Sequence, residues 1–255
     1  MTFLEYLESR RDLLIAQTVE HASIVLMSVA LATVLGVLIG VATYRHPRAR
    51  AIAVAVAAAI LTVPSFALLG LLITPLGLGY LPAFAALSMY ALLPIIRNTV
   101  VGLTEVDPAL TEAARGIGMS RIRALATVEM PLAWPVILAG IRISTQMTMG
   151  IAAIAAYVGG PGLGNQIFSG LANLGGVNSL NQTLVGTVGV IALALLVDLC
   201  LWLLGVFTQP GRRARSGGTR LAGVSRADLP AGAQTTPVAG APIPVTTTTE
   251  AGVLR

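Results

Sequence analysis

Long uncharged apolar stretches, separated by short basic or glycine-rich breaks, organise this chain. Residues 22–44 carry no charge and exceed the roughly 20 apolar residues a helix needs to cross a hydrocarbon core. No charged residue occurs between Arg50 and Arg97. That leaves room for two more spans, over 51–73 and 80–100, with Thr74 to Gly79 as the turn between them. A fourth span is expected over 134–158, interrupted only by Arg142, and a fifth over 180–207, carrying Asp198. The glycine-rich stretch 159–176 is too broken to span by itself. The pattern predicts an all-α polytopic membrane protein of about five transmembrane helices.

Composition agrees: 55% of residues are hydrophobic, 11% are charged, and the mean hydropathy is +0.84. A soluble domain carries about 25% charged residues, so lipid is the solvent for most of this chain. The net charge of +5 does not mark a nucleic-acid surface, because the arginines gather at the ends of the apolar runs. Arg45, Arg48 and Arg50 follow the first span, and Arg212, Arg213 and Arg215 follow the last, whereas 74–79 and 159–179 are uncharged. Placing the basic segments in the cytoplasm puts the N-terminus outside and the C-terminus inside, as an odd number of spans requires. The acidic start (Glu5, Glu8, Asp12 and Glu20 against Arg10 and Arg11) concurs, and it also argues against a cleaved signal peptide, whose first segment is basic. The expected organisation is an extracytoplasmic segment 1–17, a membrane domain 18–207, and a disordered cytoplasmic tail 208–255 rich in Pro, Gly, Ala and Thr.

Catalytic and cofactor chemistry find no foothold. All 16 basic residues are arginine, so a phosphate-binding loop with its obligatory lysine is excluded. Cys200 is the sole cysteine, His21 and His46 stand apart, and no spacing suits a metal. No cofactor is expected.

The segment 104–131, cytoplasmic in this topology, carries the most information. Asp107 and Pro108 read as an N-cap and first helical position. Leu110, Ala113, Ala114 and Ile117 then fall on one apolar stripe. Gly116 and Gly118 end that helix, Ser120 caps a second over 121–130, and Pro131 is expected to stop it before the membrane resumes. The outcome is a helix-turn-helix elbow along the cytoplasmic face. Its stripe is mostly small, unlike the bulky apolar face of a helix that lies on lipid.

The elbow resembles a known signature. Glu112-Ala113-Ala114, then Gly118, then Val128-Glu129-Met130-Pro131 is similar to the spaced E-A-A, G, I-x-L-P pattern of ABC importer permeases, with Val and Met replacing the usual Ile and Leu. The stretches 64–70, 92–99, 132–142 and 159–168 resemble permeases for glycine betaine, carnitine and choline, and the likeness extends from about Thr18 to Phe207. The resemblance implies a type I importer permease fold. It also implies that Glu112, Ala113, Ala114, Gly118 and Pro131 form the coupling loop that docks on a cytoplasmic ATP-binding subunit. Further implied partners are a second permease subunit, identical or homologous, and an extracytoplasmic solute-binding protein. ATP hydrolysis would belong to the partner, and the chain itself would not be an enzyme. A same-fold permease for an amino acid such as methionine is the nearest alternative. An ion-coupled secondary transporter would leave the elbow unexplained.

Several membrane residues admit two readings. Arg142 either snorkels to the cytoplasmic interface or serves a subunit interface, with Asp198 as a possible partner. Pro64 and Pro94, deep in the second and third spans, free backbone carbonyls that lipid cannot satisfy. They and neighbouring Ser65, Asn98 and Thr99 either line a solute route or pack helices. Gly159 to Gly164 reads as a tight external turn. With aromatic residues at 5%, no aromatic cage for a quaternary ammonium ligand is legible.

Overall fold

The computed structural model describes residues 2–208; the expected tail 208–255 lies almost wholly outside them. Among the described residues there are helices and turns and no strands. The order is α1 (Phe3–Ser9), α2 (Arg11–Thr43), α3 (Pro47–Thr62), α4 (Ser65–Leu76), α5 (Tyr80–Thr104), α6 (Pro108–Gly116), α7 (Arg121–Ala124), α8 (Met130–Ala155), α9 (Gly164–Ala172) and α10 (Ser179–Thr208). A π-helical turn, Leu125–Glu129, joins α7 to α8, and a 3-10 turn, Ala156–Val158, closes α8.

Four helical stretches are long and apolar enough to cross a membrane, and the bent pair α3–α4 makes a fifth if it counts as one span. Hydropathy and burial run opposite in α10 and α5, whereas α2 and the stretch 121–158 are equally buried, at 39%. The spans of α2 and α10 reach a mean hydropathy of 2.7, with α10 only 11% buried; α5 reaches 1.5 and is 50% buried. A helix facing lipid must be apolar all round, whereas a central one can carry Pro94, Ser88 and Thr99 because protein surrounds it. Helices α2, α5 and α8 share one core built on Ile24, Leu87, Ile95, Ile137 and Met149.

Small residues bring these helices close. A Cβ on Gly40 of α2 would lie 2.6 Å from Thr99 Cγ2 of α5, and one on Gly36 would lie 2.8 Å from Ile95 Cγ2. On α8, a Cβ at Gly140 would meet Asn98 Cβ at 2.7 Å and the Pro94 carbonyl oxygen at 2.8 Å. This is membrane packing by dispersion, with backbones drawn together where no side chain intervenes. Ser144 on α8 adds a hydrogen bond of 2.7 Å to the Ala91 carbonyl of α5.

Three expectations change. Residues 51–73 do not form one straight span: α3 and α4 meet at 95° around Val63 and Pro64. Pro64 has no N–H for the Ile60 carbonyl, which accepts from the Val63 N–H at 3.2 Å, while the Val63 carbonyl, left at the break, accepts from the Tyr90 hydroxyl at 2.7 Å. Pro131 does not end the elbow's second helix, because residues 121–158 run as one helical stretch. The Met130 N–H reaches back five residues to the Leu125 carbonyl, and the widened turn accommodates a ring that lacks an N–H of its own. Finally, the first long helix begins well before the apolar run that predicted it. Thr2 and Glu5 form a capping box on α1, and α2 begins at Arg11 rather than near residue 22. The Tyr6 hydroxyl donates to Gln166 Oε1 at 3.0 Å, and Gln166 Nε2 donates to Gln17 Oε1 at 2.8 Å, tying α1, α2 and α9 together.

Candidate functional site

The elbow is built as its residue types demand. Asp107 Oδ1 accepts from the Ala109 N–H at 2.9 Å, and Pro108 occupies the first turn of α6, where no N–H is needed. At the other end, the Gly118 N–H donates to the Arg115 carbonyl and the Met119 N–H to the Ala114 carbonyl. Gly118 holds φ at +84°. This is a Schellman turn, which favours glycine because its left-handed backbone penalises a Cβ. Ser120 Oγ then accepts from the Arg123 N–H at 3.3 Å and starts α7.

The apolar stripe divides between two tasks. Ala114 is 5% exposed, turned into the chain where α6 packs against α7 and the π turn. Its small size therefore serves the elbow itself, not a groove on another molecule. Glu112 and Ala113 are exposed, Leu110 is 47% exposed, and Ile117 and Ile122 at the tip are 77% and 80% exposed. Uncovered isoleucines beside a polar rim are what a docking surface offers.

Sequence reasoning missed the group that fastens the elbow to the first span. Glu129, in the π turn, is 3% exposed. Its Oε1 accepts from Arg45 NH2 at 2.9 Å, and its Oε2 accepts from the Tyr44 hydroxyl. Arg45 Nε in turn donates to the Tyr44 hydroxyl, and its guanidinium lies 5.0 Å from the Tyr44 ring centre. Burial, reinforced by the Glu129 carboxylate, pushes the Tyr44 hydroxyl up to about 12. A cleft of about 240 Å³ opens beside this cluster, lined by Tyr44, Arg45, Glu112, Arg115 and Glu129 among others. The only available signal was Glu129 beside a membrane start, where an unpartnered carboxylate would be costly.

The membrane residues separate. Arg142 and Asp198 form a bidentate pair between α8 and α10, with Nε–Oδ1 at 2.9 Å and NH2–Oδ2 at 2.7 Å. Snorkelling is thus not how Arg142 is accommodated. Thr99 is completely buried between α2 and α5, so it packs helices and lines no open route. Asn98 and Pro94 face Gly140 of α8, and Asn98 Nδ2 donates to the Pro94 carbonyl at 2.8 Å. Pro64 remains exposed and Ser65 half-buried, at the α3–α4 break. No side chain caps the start of α4. No group of three or more metal-ligating side chains exists among the described residues.

Four helical stretches apolar and long enough to cross a membrane, a bent helix pair and an elbow with uncovered isoleucines define the class as a polytopic membrane protein. The chain belongs to the family of binding-protein-dependent transport system inner membrane components, which matches residues 32–209. It is 38% identical over 216 residues to the osmoprotectant import permease protein OsmW of Salmonella typhimurium, covering 82% of this chain and 98% of that one. It is 41% identical over 209 residues to the carnitine transport permease protein OpuCB of Listeria monocytogenes, with coverages of 80% and 93%. A glycine betaine/carnitine/choline permease of Bacillus subtilis is 37% identical over 198 residues, with coverages of 78% and 89%. Among solved structures, an inward-facing MetNI methionine ABC transporter chain superposes with a TM-score of 0.68 at 22% identity, over 79% of this chain and 98% of that one. That likeness confirms the type I permease fold.

Proposed function

We propose that this chain is the permease subunit of an ATP-driven importer for a quaternary ammonium compatible solute such as glycine betaine, carnitine or choline. The observation that carries the reading is the elbow: a capped, Schellman-closed helix whose exposed Glu112, Ala113 and Ile117 stand outside the bundle. The named relatives, 37–41% identical over about four fifths of the chain, supply the solute class. In this reading α6 seats on a cytoplasmic ATP-binding subunit, which performs the hydrolysis. A second permease subunit completes the route, and a solute-binding protein delivers from outside. The protein sits in the bacterial cell membrane with its N-terminus out.

Coupling then has a mechanical path. Movement of the docked α6 is transmitted through Ala114 to the π turn and directly along the continuous helix into α8. The Glu129 cluster carries the same movement to the end of α2, so two core helices respond together.

The test is reconstitution with the ATP-binding subunit and binding protein. Solute-stimulated hydrolysis and uptake of labelled glycine betaine, carnitine or choline are expected, and uptake should resist competition by methionine. Ala113→Trp, on the exposed face, and Gly118→Val, at the left-handed turn, should abolish stimulation at normal membrane abundance. Intact stimulated hydrolysis in both variants would remove the elbow as the coupling element. Competition by methionine alone would replace the solute class while keeping the transport reading.

A further inference from the structure

On the reading that the solute is a quaternary ammonium compound, we infer that Phe66, Tyr157 and Phe168 form a binding station for its cationic head within the permease itself. The three rings are far apart in sequence and come from three elements: α4 just after the helix break, the 3-10 turn that closes α8, and α9. The Tyr157 ring lies 5.4 Å from Phe66, edge to face at 79°, and 5.4 Å from Phe168, tilted at 53°. These rings are not core filling, since Tyr157 is 67% exposed and Phe66 49% exposed. Tilted neighbours around an open central ring leave π faces free for a cation.

The position suits a solute entering from the side opposite the ATP-binding subunit. Tyr157 stands at the far end of α8 from the elbow, about 40 Å along a 26-residue helix. Phe66 follows Pro64 by two residues, and Pro64 is exposed at the 95° break between α3 and α4. Irregular backbone at membrane depth is tolerated only within protein or beside a water-filled cavity. The backbone at the Val63–Pro64 break therefore needs protein or water beside it, and Phe66 follows that break directly.

Their chemistry fits the head group. A quaternary ammonium has no N–H to donate, so it forms no hydrogen bond to an acceptor, and aromatic faces are its natural uncharged partners. No charged residue occurs from 51 to 96 or from 143 to 197, so α4, the 3-10 turn and α9 neither repel the cation nor trap it in an ion pair. Ring attraction alone gives weak holding, which a conduction step needs if the solute is to move on.

The experiment uses the reconstituted importer and compares uptake of choline with Phe66, Tyr157 and Phe168 replaced singly by Leu, together with Tyr157→Phe. Removing one ring should lower choline uptake at saturating binding protein by about 2- to 30-fold, the range a lost cation–π contact allows. Tyr157→Phe should retain near-normal uptake, because the ring and not the hydroxyl does the holding. A fluorinated phenylalanine at positions 66 and 168 keeps the shape and weakens the π face, so it should lower uptake at unchanged abundance even where a Leu variant fails to fold. Unchanged uptake in the fluorinated or Leu variants, as expected for rings that merely touch lipid, would overturn the station. Equal damage from Tyr157→Phe and Tyr157→Leu would overturn it too. Should the unsubstituted importer take up an amino acid and no choline, the solute reading itself fails, an outcome distinct from the others.

Discussion

Removing the Asp198 carboxylate should destabilise this protein far more than removing the whole Arg142–Asp198 pair. The two side chains are joined by bonds of 2.9 and 2.7 Å across α8 and α10, and they retain 32% and 21% of their exposure. Breaking a fully buried pair by removing one partner costs about 3–5 kcal/mol, and an arginine stranded at the centre of a spanning helix costs about 2.5–3.5 kcal/mol on insertion scales. Partial exposure discounts both, so Asp198→Leu should cost about 2–3 kcal/mol. Arg142→Leu should cost less, because a stranded carboxylate can take up a proton whereas a guanidinium cannot lose one. Arg142→Leu with Asp198→Leu leaves no charge behind and should fall within about 1 kcal/mol of the parent. At roughly 2–4 °C per kcal/mol for a chain of this size, Asp198→Leu should lower the thermal midpoint of the detergent-extracted protein by about 4–12 °C. The double variant should recover most of that. The four proteins form a double-mutant cycle, with membrane abundance measured in parallel. A coupling energy below about 0.5 kcal/mol, or a double variant no better than Asp198→Leu, would refute the view that the pair is retained to neutralise Arg142.

Other expectations follow from particular contacts. Thr99 Oγ1 is buried without a hydrogen-bond partner, so Thr99→Val should raise the thermal midpoint, by about 1 kcal/mol in stability. Gly40→Ala should lower it, because the new Cβ would lie 2.6 Å from Thr99 Cγ2. Burial, then the Glu129 carboxylate, push the Tyr44 hydroxyl up to about 12 from an ordinary value of 10.0. The folded state therefore holds its proton longer, and the stability this contributes is complete below about pH 10 and lost as pH rises from there to about 12. Titration of Tyr44 should thus leave thermal stability unchanged around neutral pH, and Tyr44→Phe should remove its part of any alkaline loss. For orientation, a cysteine at Gly176 in a Cys200→Ser background should react with an impermeant thiol reagent on intact cells, and one at Ala49 should be protected until the membrane is opened. The reverse pattern would invert the topology.

Much of this protein was legible in sequence because lipid imposes a simple rule: backbone polar groups must pair within each helix, and the outside must be apolar. The spans at 80–100, 134–158 and 180–207 follow from that rule, and they agree with α5, α8 and α10 to within a few residues. The elbow was legible for a different reason. Asp107, Pro108, Gly118 and Ser120 specify caps and a left-handed turn by their own local chemistry, with no help from distant residues. What only the tertiary structure decided concerns residues whose neighbours lie far along the chain. Pro64 could mark a kink or a break until the Tyr90 hydroxyl is found holding the Val63 carbonyl. Ala114 belonged to a stripe that could face outward or inward, and packing against the π turn turned it inward. Glu129, Tyr44 and Arg45 are separated by some 85 residues, and no local pattern joins them. Phe66, Tyr157 and Phe168 likewise looked like scattered aromatics. Helix periodicity says which residues share a face, but the partner of that face is fixed only when the helices pack.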